Sequence, residues 1–226
     1  MSRAIFLIFI SFGGAAILVW LGTWQLQRLT WKQDVLATIE ARIAGAPNAL
    51  AGLVEPEKDN YLPVRVEGQF DTSFLRILVS QKDIGAGYRV ISPFEVGDRR
   101  IMVDRGFIAV DQANVVPPQN VVRVVGNLQW PNEIDSFTPM PDLDQNIWFA
   151  RDVDAMSAAL QTEPILLVAR EPIPGDTSLT ALPVDTSQIP NNHLQYAVTW
   201  FSLAAVWLAM SFLFLRHRRG KFATKN

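Results

Sequence analysis

Residues 194–215, LQYAVTWFSLAAVWLAMSFLFL, carry no charged side chain, and a helix of that length at ~1.5 Å per residue crosses a ~30 Å hydrocarbon layer. Backbone amides in lipid need partners within their own segment, so this stretch is a membrane helix and the rest of the chain is arranged around it. Its start is well marked. Pro190 keeps the approach non-helical, Asn192 is a favourable N-cap, and Gln195 three positions on completes a capping-box pattern. His193 is then the expected first helical residue. Tyr196, Ala197, Trp200, Ala204 and Trp207 follow it at helical spacing, so one face presents an imidazole, a phenol, two indoles and small residues.

Residues 4–27 form a second uncharged run, which continues past a small-residue stretch into Trp20, Trp24 and Leu26. A cleaved signal has a shorter apolar region, so a retained anchor is expected. After the second span, Arg216, Arg218, Arg219, Lys221 and Lys225 stand without an acidic residue, which places residues 216–226 as a basic cytoplasmic tail. Two spans, 4–27 and 193–215, put both termini on that side and residues 28–190 outside.

That outer segment begins with a helical period through Leu29, Val35, Leu36, Ile39 and Ile43, expected to stop near Gly45 and Pro47. Strand signals follow in YLPVRVEGQF, LRILVSQ, GYRVISPFEV, RRIMVDRGFIAV and NVVRVVGNLQW, then a helix in DVDAMSAALQ and a last strand in PILLVARE. IGAGY, starting at Ile84, reads as a turn, since it lacks the rest of a dinucleotide fingerprint. Residues 171–190, rich in Pro, Thr, Ser and Asp, read as a linker back to the membrane. The expected fold is a membrane protein with two transmembrane α-helices flanking an α+β, mostly antiparallel β extracytoplasmic domain, a small sheet or barrel.

Composition removes several function classes. No cysteine is present, so there is no disulfide, iron–sulfur cluster or thiolate metal site. A net charge of −2 with no basic stripe argues against nucleic acid as a partner. The only histidines are His193 and His217, so the outer domain holds no Ser-His-Asp arrangement, and no catalytic residue is expected. Asp135, Asp142, Asp144, Asp152 and Asp154 crowd one region, but such clusters are usually solvated loops rather than a glycosidase pair.

His193 is the sharpest candidate. An ionisable residue at a membrane helix is a functional candidate by default, although interfacial histidines are often merely polar. Helix N-termini disfavour cationic side chains, and neutral imidazole is the form that ligates iron. The aromatic face below, with Trp200 about 10 Å deeper, suits a flat apolar macrocycle. On the first helix Trp20, Trp24, Arg28 and Trp31 share a face. Arg28 there can meet a carboxylate near the outer surface or snorkel to a lipid phosphate, and the indoles also suit an aromatic belt in membrane lipid. Small residues Ser11, Gly14 and Ala15 on one helix and Ala197, Ala204 and Ala205 on the other are the expected packing seam.

Five stretches, LGTWQLQRLTWK, VRVEGQF, GYRVISPF, VDRGFI and NNHLQYAVTWF, in this order and spacing, resemble the Surfeit locus protein family of cytochrome c oxidase assembly factors in its bacterial form. The resemblance covers nearly the whole chain. Asp104 stands where the family commonly has Asn, and Phe107 where it commonly has Trp. The resemblance implies a respiratory-chain biogenesis chaperone of the bacterial inner membrane, with both termini cytoplasmic and a periplasmic domain. It implies haem a bound through His193 as the iron ligand, with Trp200 beside it and Tyr196 on the same face; the haem is expected between the two membrane helices and is delivered to the catalytic subunit of a haem-copper oxidase. Trp24 and Arg28 are further candidate binding residues, and the haem a synthase a further partner. No reaction is expected. A protein-only scaffold that stabilises an oxidase intermediate without holding haem is the alternative. VDRGFI is a candidate docking surface, or no more than a hairpin turn at Arg105–Gly106.

Overall fold

In chain order the elements are α1 (Ser2–Ile43), β1 (Asn48–Ala49), α2 (Pro56–Asp59), β2 (Pro63–Phe70), β3 (Leu75–Gln81), β4 (Gly85–Val96), β5 (Arg99–Ala109), β6 (Val122–Leu128), β7 (Ile147–Trp148), α3 (Val153–Leu160), β8 (Leu166–Ala169) and α4 (His193–Ala223). The computed structural model describes residues 2–81, 85–112, 115–187 and 189–223, with side chains for those between 5 and 217 other than Gln81. Ile84, Arg3 and the tail side chains of Arg218, Arg219, Lys221 and Lys225 lie outside the described residues and side chains. The chain divides into two units, one built from residues up to Thr38 with those from Ser187 onward, the other from Ile39–Thr186.

The inner unit in sequence is a barrel. β2 pairs with β6, β6 with β8, β8 with β5, β5 with β4, and β4 returns to β2, so five strands close on themselves; β3 and β7 extend the sheet beyond β4, and β1 lies beside β2. All pairings are antiparallel except β1–β2, β3–β7 and β5–β8. Closure rests on the long β4, whose first half pairs with β3 while its end pairs with β2 through Gln69↔Glu95 and Phe70↔Phe94. Gly68 makes this possible, because a Cβ there would lie 1.9 Å from the Glu95 carbonyl oxygen.

Strand patterning follows what each face meets. In β2, Val64 and Val66 point inward while Arg65 and Glu67 face solvent, the period-two pattern of a half-buried strand. β4, β5 and β8 are buried on both faces and read as continuous apolar runs. Their inner face joins Val64, Val66, Phe94, Val103, Val124 and Leu167 in the barrel core. Their outer face is covered by α3, whose Val153, Met156 and Leu160 pack on Ile91, Met102 and Leu166. Asp152 caps α3 by accepting from the Ala155 amide at 3.0 Å. At the end of α1, the Ile43 carbonyl accepts from Asn127 Nδ2 at 3.1 Å and from Arg170, which satisfies part of the helix terminus.

Three expectations change here. Gly85–Tyr88 of the IGAGY stretch belong to β4, not to a turn. VDRGFI is neither a surface nor a hairpin: residues 101–108 are buried in the middle of β5. Pairing shifts from Val90↔Gly106 to Ile91↔Asp104, so Arg105 is the extra residue of a β-bulge. Arg105 is 1% exposed and its Nη2 lies 2.6 Å from Asp176, while Asp104 pairs with Arg89. Residues 171–186 are an ordered strap rather than a loose linker. Phe107 and Thr180 exchange backbone bonds of 2.7 and 2.9 Å, and Ile173, Asp176, Leu179 and Val184 are buried. The strap lies so close that a Cβ on Gly106, whose φ is +119°, would sit 2.2 Å from the Thr180 oxygen.

Candidate functional site

Both α1 and α4 contain windows long and apolar enough to cross a membrane, with mean hydropathy of 2.4 and 2.0, and those windows are only 11% and 6% buried. A core helix of a soluble protein would be mostly covered. These two expose Phe6, Phe9, Ile17, Val198, Val206 and Phe212 to their surroundings, which is the pattern of lipid-facing helices.

Small residues hold the pair together. Ala15, Ala197 and Ala204 are buried at 6%, 1% and 4% exposure. A Cβ on Gly14 would lie 2.8 Å from the Trp207 ring, and one on Gly22 would lie 2.7 Å from the Phe201 ring, so only glycine lets these rings lie flush on α1. Trp207 Nε1 donates to the Ser11 carbonyl at 2.9 Å, while the Ser11 hydroxyl donates to Leu7 O at 2.8 Å. Ser11, Gly14, Ala15, Ala197 and Ala204 are thus at the seam; Ala205 is not, being exposed one position, about 100°, past Ala204.

At the start of α4 the Tyr196 amide donates to the Asn192 carbonyl at 3.1 Å, so His193 is the first residue inside the helix. Its ring is half-buried, and Nδ1 stands 2.8 Å from Oε1 of Gln25 on α1. This contact was not anticipated. Its signal was available: a Gln in an apolar helix, one turn beyond Gly22 on the stripe that runs through Gly14, Ala15 and Leu18. Two residues before His193, Asn191 Oδ1 is buried with no hydrogen-bond partner among the described residues.

The other candidates are placed less tightly. Trp200 is half-buried on the same helix, whereas Tyr196 is 55% and Trp24 46% exposed. The Arg28 guanidinium lies over the Trp31 ring at 4.1 Å. This stacking leaves its N–H edge available to a carboxylate or phosphate. The arrangement offers an imidazole nitrogen, an unpaired amide oxygen and exposed aromatic faces. An imidazole beside aromatic faces is the kind of donor set that a flat iron macrocycle would need. Deeper along the helices the seam is filled by Phe201 on Gly22 and Trp207 on Gly14, so a macrocycle expected between the helices has no room at those two levels.

Among the described residues, no comparable chemistry gathers in the barrel. The clustered carboxylates serve turns: Asp135 accepts from the Phe137 amide at 2.8 Å, Asp142 from Gln145 at 3.0 Å, and Asp152 caps α3. A cleft of about 400 Å³ over β2 and β6 is lined by Glu67, Arg123 and Glu171 with neighbouring apolar residues, and Glu67 and Arg123 pair across it at 3.4 Å. No group of three or more His, Asp or Glu side chains is set for a metal among the described residues.

Two apolar helices flanking a mostly antiparallel barrel in the sequence define a membrane-anchored β-barrel protein. The chain belongs to the SURF1 family, which it matches over residues 13–205, a span that includes Gln25, the DRG bulge and His193. It is similar to Surfeit locus protein 1 of Xenopus tropicalis, 33% identical over 82% of this chain and 68% of that one. It is also similar to Surfeit locus protein 1 of Rattus norvegicus, at 32% over 87% and 70%, and to the SURF1-like protein of Rickettsia prowazekii (strain Madrid E), at 29% over 94% and 89%.

Proposed function

We propose that this protein assists assembly of a haem-copper cytochrome oxidase, taking haem a as cargo at His193 and passing it to the catalytic subunit. Membership of the SURF1 family supports the assembly role. The observation that supports the haem reading is the half-buried His193 at the start of α4, its ring held against Gln25 of α1. His193 would ligate the metal, Trp200 and Trp24 would flank the ring, and Arg28 would meet a propionate. The protein itself catalyses no reaction. A single imidazole at a helix start suits cargo that must leave, since release needs only one protein–iron bond to break.

In this reading the protein sits in the bacterial inner membrane with both termini cytoplasmic and the barrel in the periplasm, and the haem a synthase is a second partner upstream of the oxidase. The test is the visible spectrum and extracted-haem content of the protein purified in mild detergent from cells that make haem a, beside His193→Ala. Bound haem a that disappears in the variant supports the reading. Wild-type protein free of haem, or a variant that keeps it in full, refutes it in favour of a protein-only scaffold.

A further inference from the structure

We propose that Gln25 is the positioning residue of the His193 site, fixing the imidazole as its Nδ1–H tautomer and so assigning Nε2 as the ligating nitrogen. The inference rests on the haem reading above and deepens it. Neutral imidazole has one donor and one acceptor nitrogen, and which is which follows from the partner. Gln25 Oε1 accepts hydrogen bonds only, and it lies 2.8 Å from Nδ1. With Gln25 Oε1 facing the ring, a neutral His193 carries its proton on Nδ1 and leaves the Nε2 lone pair free.

The identity of the partner matters as much as its position. A carboxylate at this place would draw the Nδ1 proton toward itself, give the ring imidazolate character and tighten its hold on iron. A neutral carboxamide orients the ring without adding charge. Gln25 thus gives a directed but moderate ligand, matched to cargo that is handed on. The bond also depends on tertiary structure. Gln25 and His193 are 168 positions apart and meet only because α1 and α4 pair, with Phe201 seated on Gly22 one turn from Gln25. Site and helix pairing are therefore coupled: a partner that parts the two helices removes the orientation of the ligand as well.

A bare structural role, polar glue between two membrane helices, predicts lost stability and nothing more. The readouts must separate the two. In a His217→Ala background His193 is the sole histidine, so ring-¹⁵N labelling of the full-length protein in detergent reports one imidazole. The expected spectrum shows a proton-bearing Nδ1 and a pyridine-like Nε2, with Gln25→Leu relaxing toward a tautomer mixture. An Nε2–H ring in the wild type, or an unchanged Nδ1–H ring in Gln25→Leu, overturns the proposal without touching the haem reading.

Titration with haem a supplies the second arm. Gln25→Leu should bind roughly 10- to 100-fold more weakly, as is usual when the partner of a metal-ligating histidine is removed. Gln25→Glu should bind at least as tightly as wild type, with the iron midpoint potential shifted negative. If both variants bind as wild type does while His193→Ala loses haem, the haem reading stands and Gln25 has no positioning role. Wild-type protein that binds no haem a overturns the assignment of Nε2 as a ligand together with the haem reading, even with the Nδ1–H tautomer intact.

Discussion

Asp176→Ala isolates the cost of the strap. In the folded barrel the Asp176 carboxylate accepts from Arg105 Nε at 2.8 Å and approaches Nη2 at 2.6 Å, with both residues nearly inaccessible. The remaining partners of the guanidinium are Ser92 Oγ and Val116 O, each at 3.3 Å, and the Phe70 ring at 5.4 Å. Burial pushes the Arg105 guanidinium below its ordinary value and the Asp176 charge opposes this. Arginine nevertheless stays charged at any working pH, so removing Asp176 leaves a buried cation without its counter-ion. Breaking such a pair costs about 3–5 kcal/mol. At about 2–4 °C per kcal/mol for a domain of this size, the unfolding midpoint should fall by roughly 6–20 °C. The double variant Arg105→Met, Asp176→Leu removes both charges and should lie within about 1 kcal/mol of wild type or above it. Thermal unfolding of the full-length protein in detergent, followed by tryptophan fluorescence, measures all three. A loss below about 1 kcal/mol in the single variant, or a double variant no better than the single, would refute the claim that the strap is held by this ion pair.

Other consequences are open to measurement. Gly22→Leu should push Phe201 off α1 and separate Gln25 from His193; in this cysteine-free chain, cross-linking of Gln25→Cys with His193→Cys should then drop several-fold, and an unchanged yield would contradict the packing. Trp207→Phe, which deletes the bond to Ser11 O, should weaken helix pairing by roughly 0.6 kcal/mol, as membrane hydrogen bonds do in double-mutant cycles. Gly106→Ala should abolish the soluble-side fold as judged by protease resistance, because its Cβ meets the Thr180 oxygen at a φ of +119°. The barrel should also lose stability on acidification. Burial raises the Glu133 carboxyl, but hydrogen bonds and charge from Arg151 outweigh it and hold the group below its ordinary value of 4.5. The Arg99 hydrogen bonds do the same for Glu163. A depressed folded value contributes stability that is complete above about pH 4.5 and is lost as pH falls through the folded value. Arg151→Met should flatten part of that decline in a pH series of unfolding midpoints.

Local signals carried much of this protein. The spans follow from charge-free runs, the start of α4 at His193 from Pro190 and Asn192, and the strands from short branched and aromatic runs whose boundaries fall within a few residues of β2 to β6 and β8. The seam residues Gly14, Ala15, Ala197 and Ala204 were legible because close helix approach in lipid demands small side chains at helical spacing.

What resisted was every feature set by residues distant in the chain. Asp-Arg-Gly looks like a turn in one dimension, because those residues favour turns; it became a buried bulge only because Arg89 and Asp176, from another strand and from the strap, neutralise its charges. The strap has the composition of a linker, and its order comes from the Arg105–Asp176 ion pair, a bond from Arg89 to the Leu182 carbonyl and a backbone bridge to β5 rather than from any propensity of its own. Closure of the barrel depends on β4 outrunning β3 and meeting β2, a matter of strand length in space. By itself, then, the sequence determined which segments are long and apolar enough to cross a membrane, where α4 begins and which residue types line each strand, since these depend on neighbours a few positions away. Only the tertiary structure decided that β5 is the buried hub and that Gln25 faces His193, because burial and hydrogen-bond partnership are properties of pairs brought together by folding.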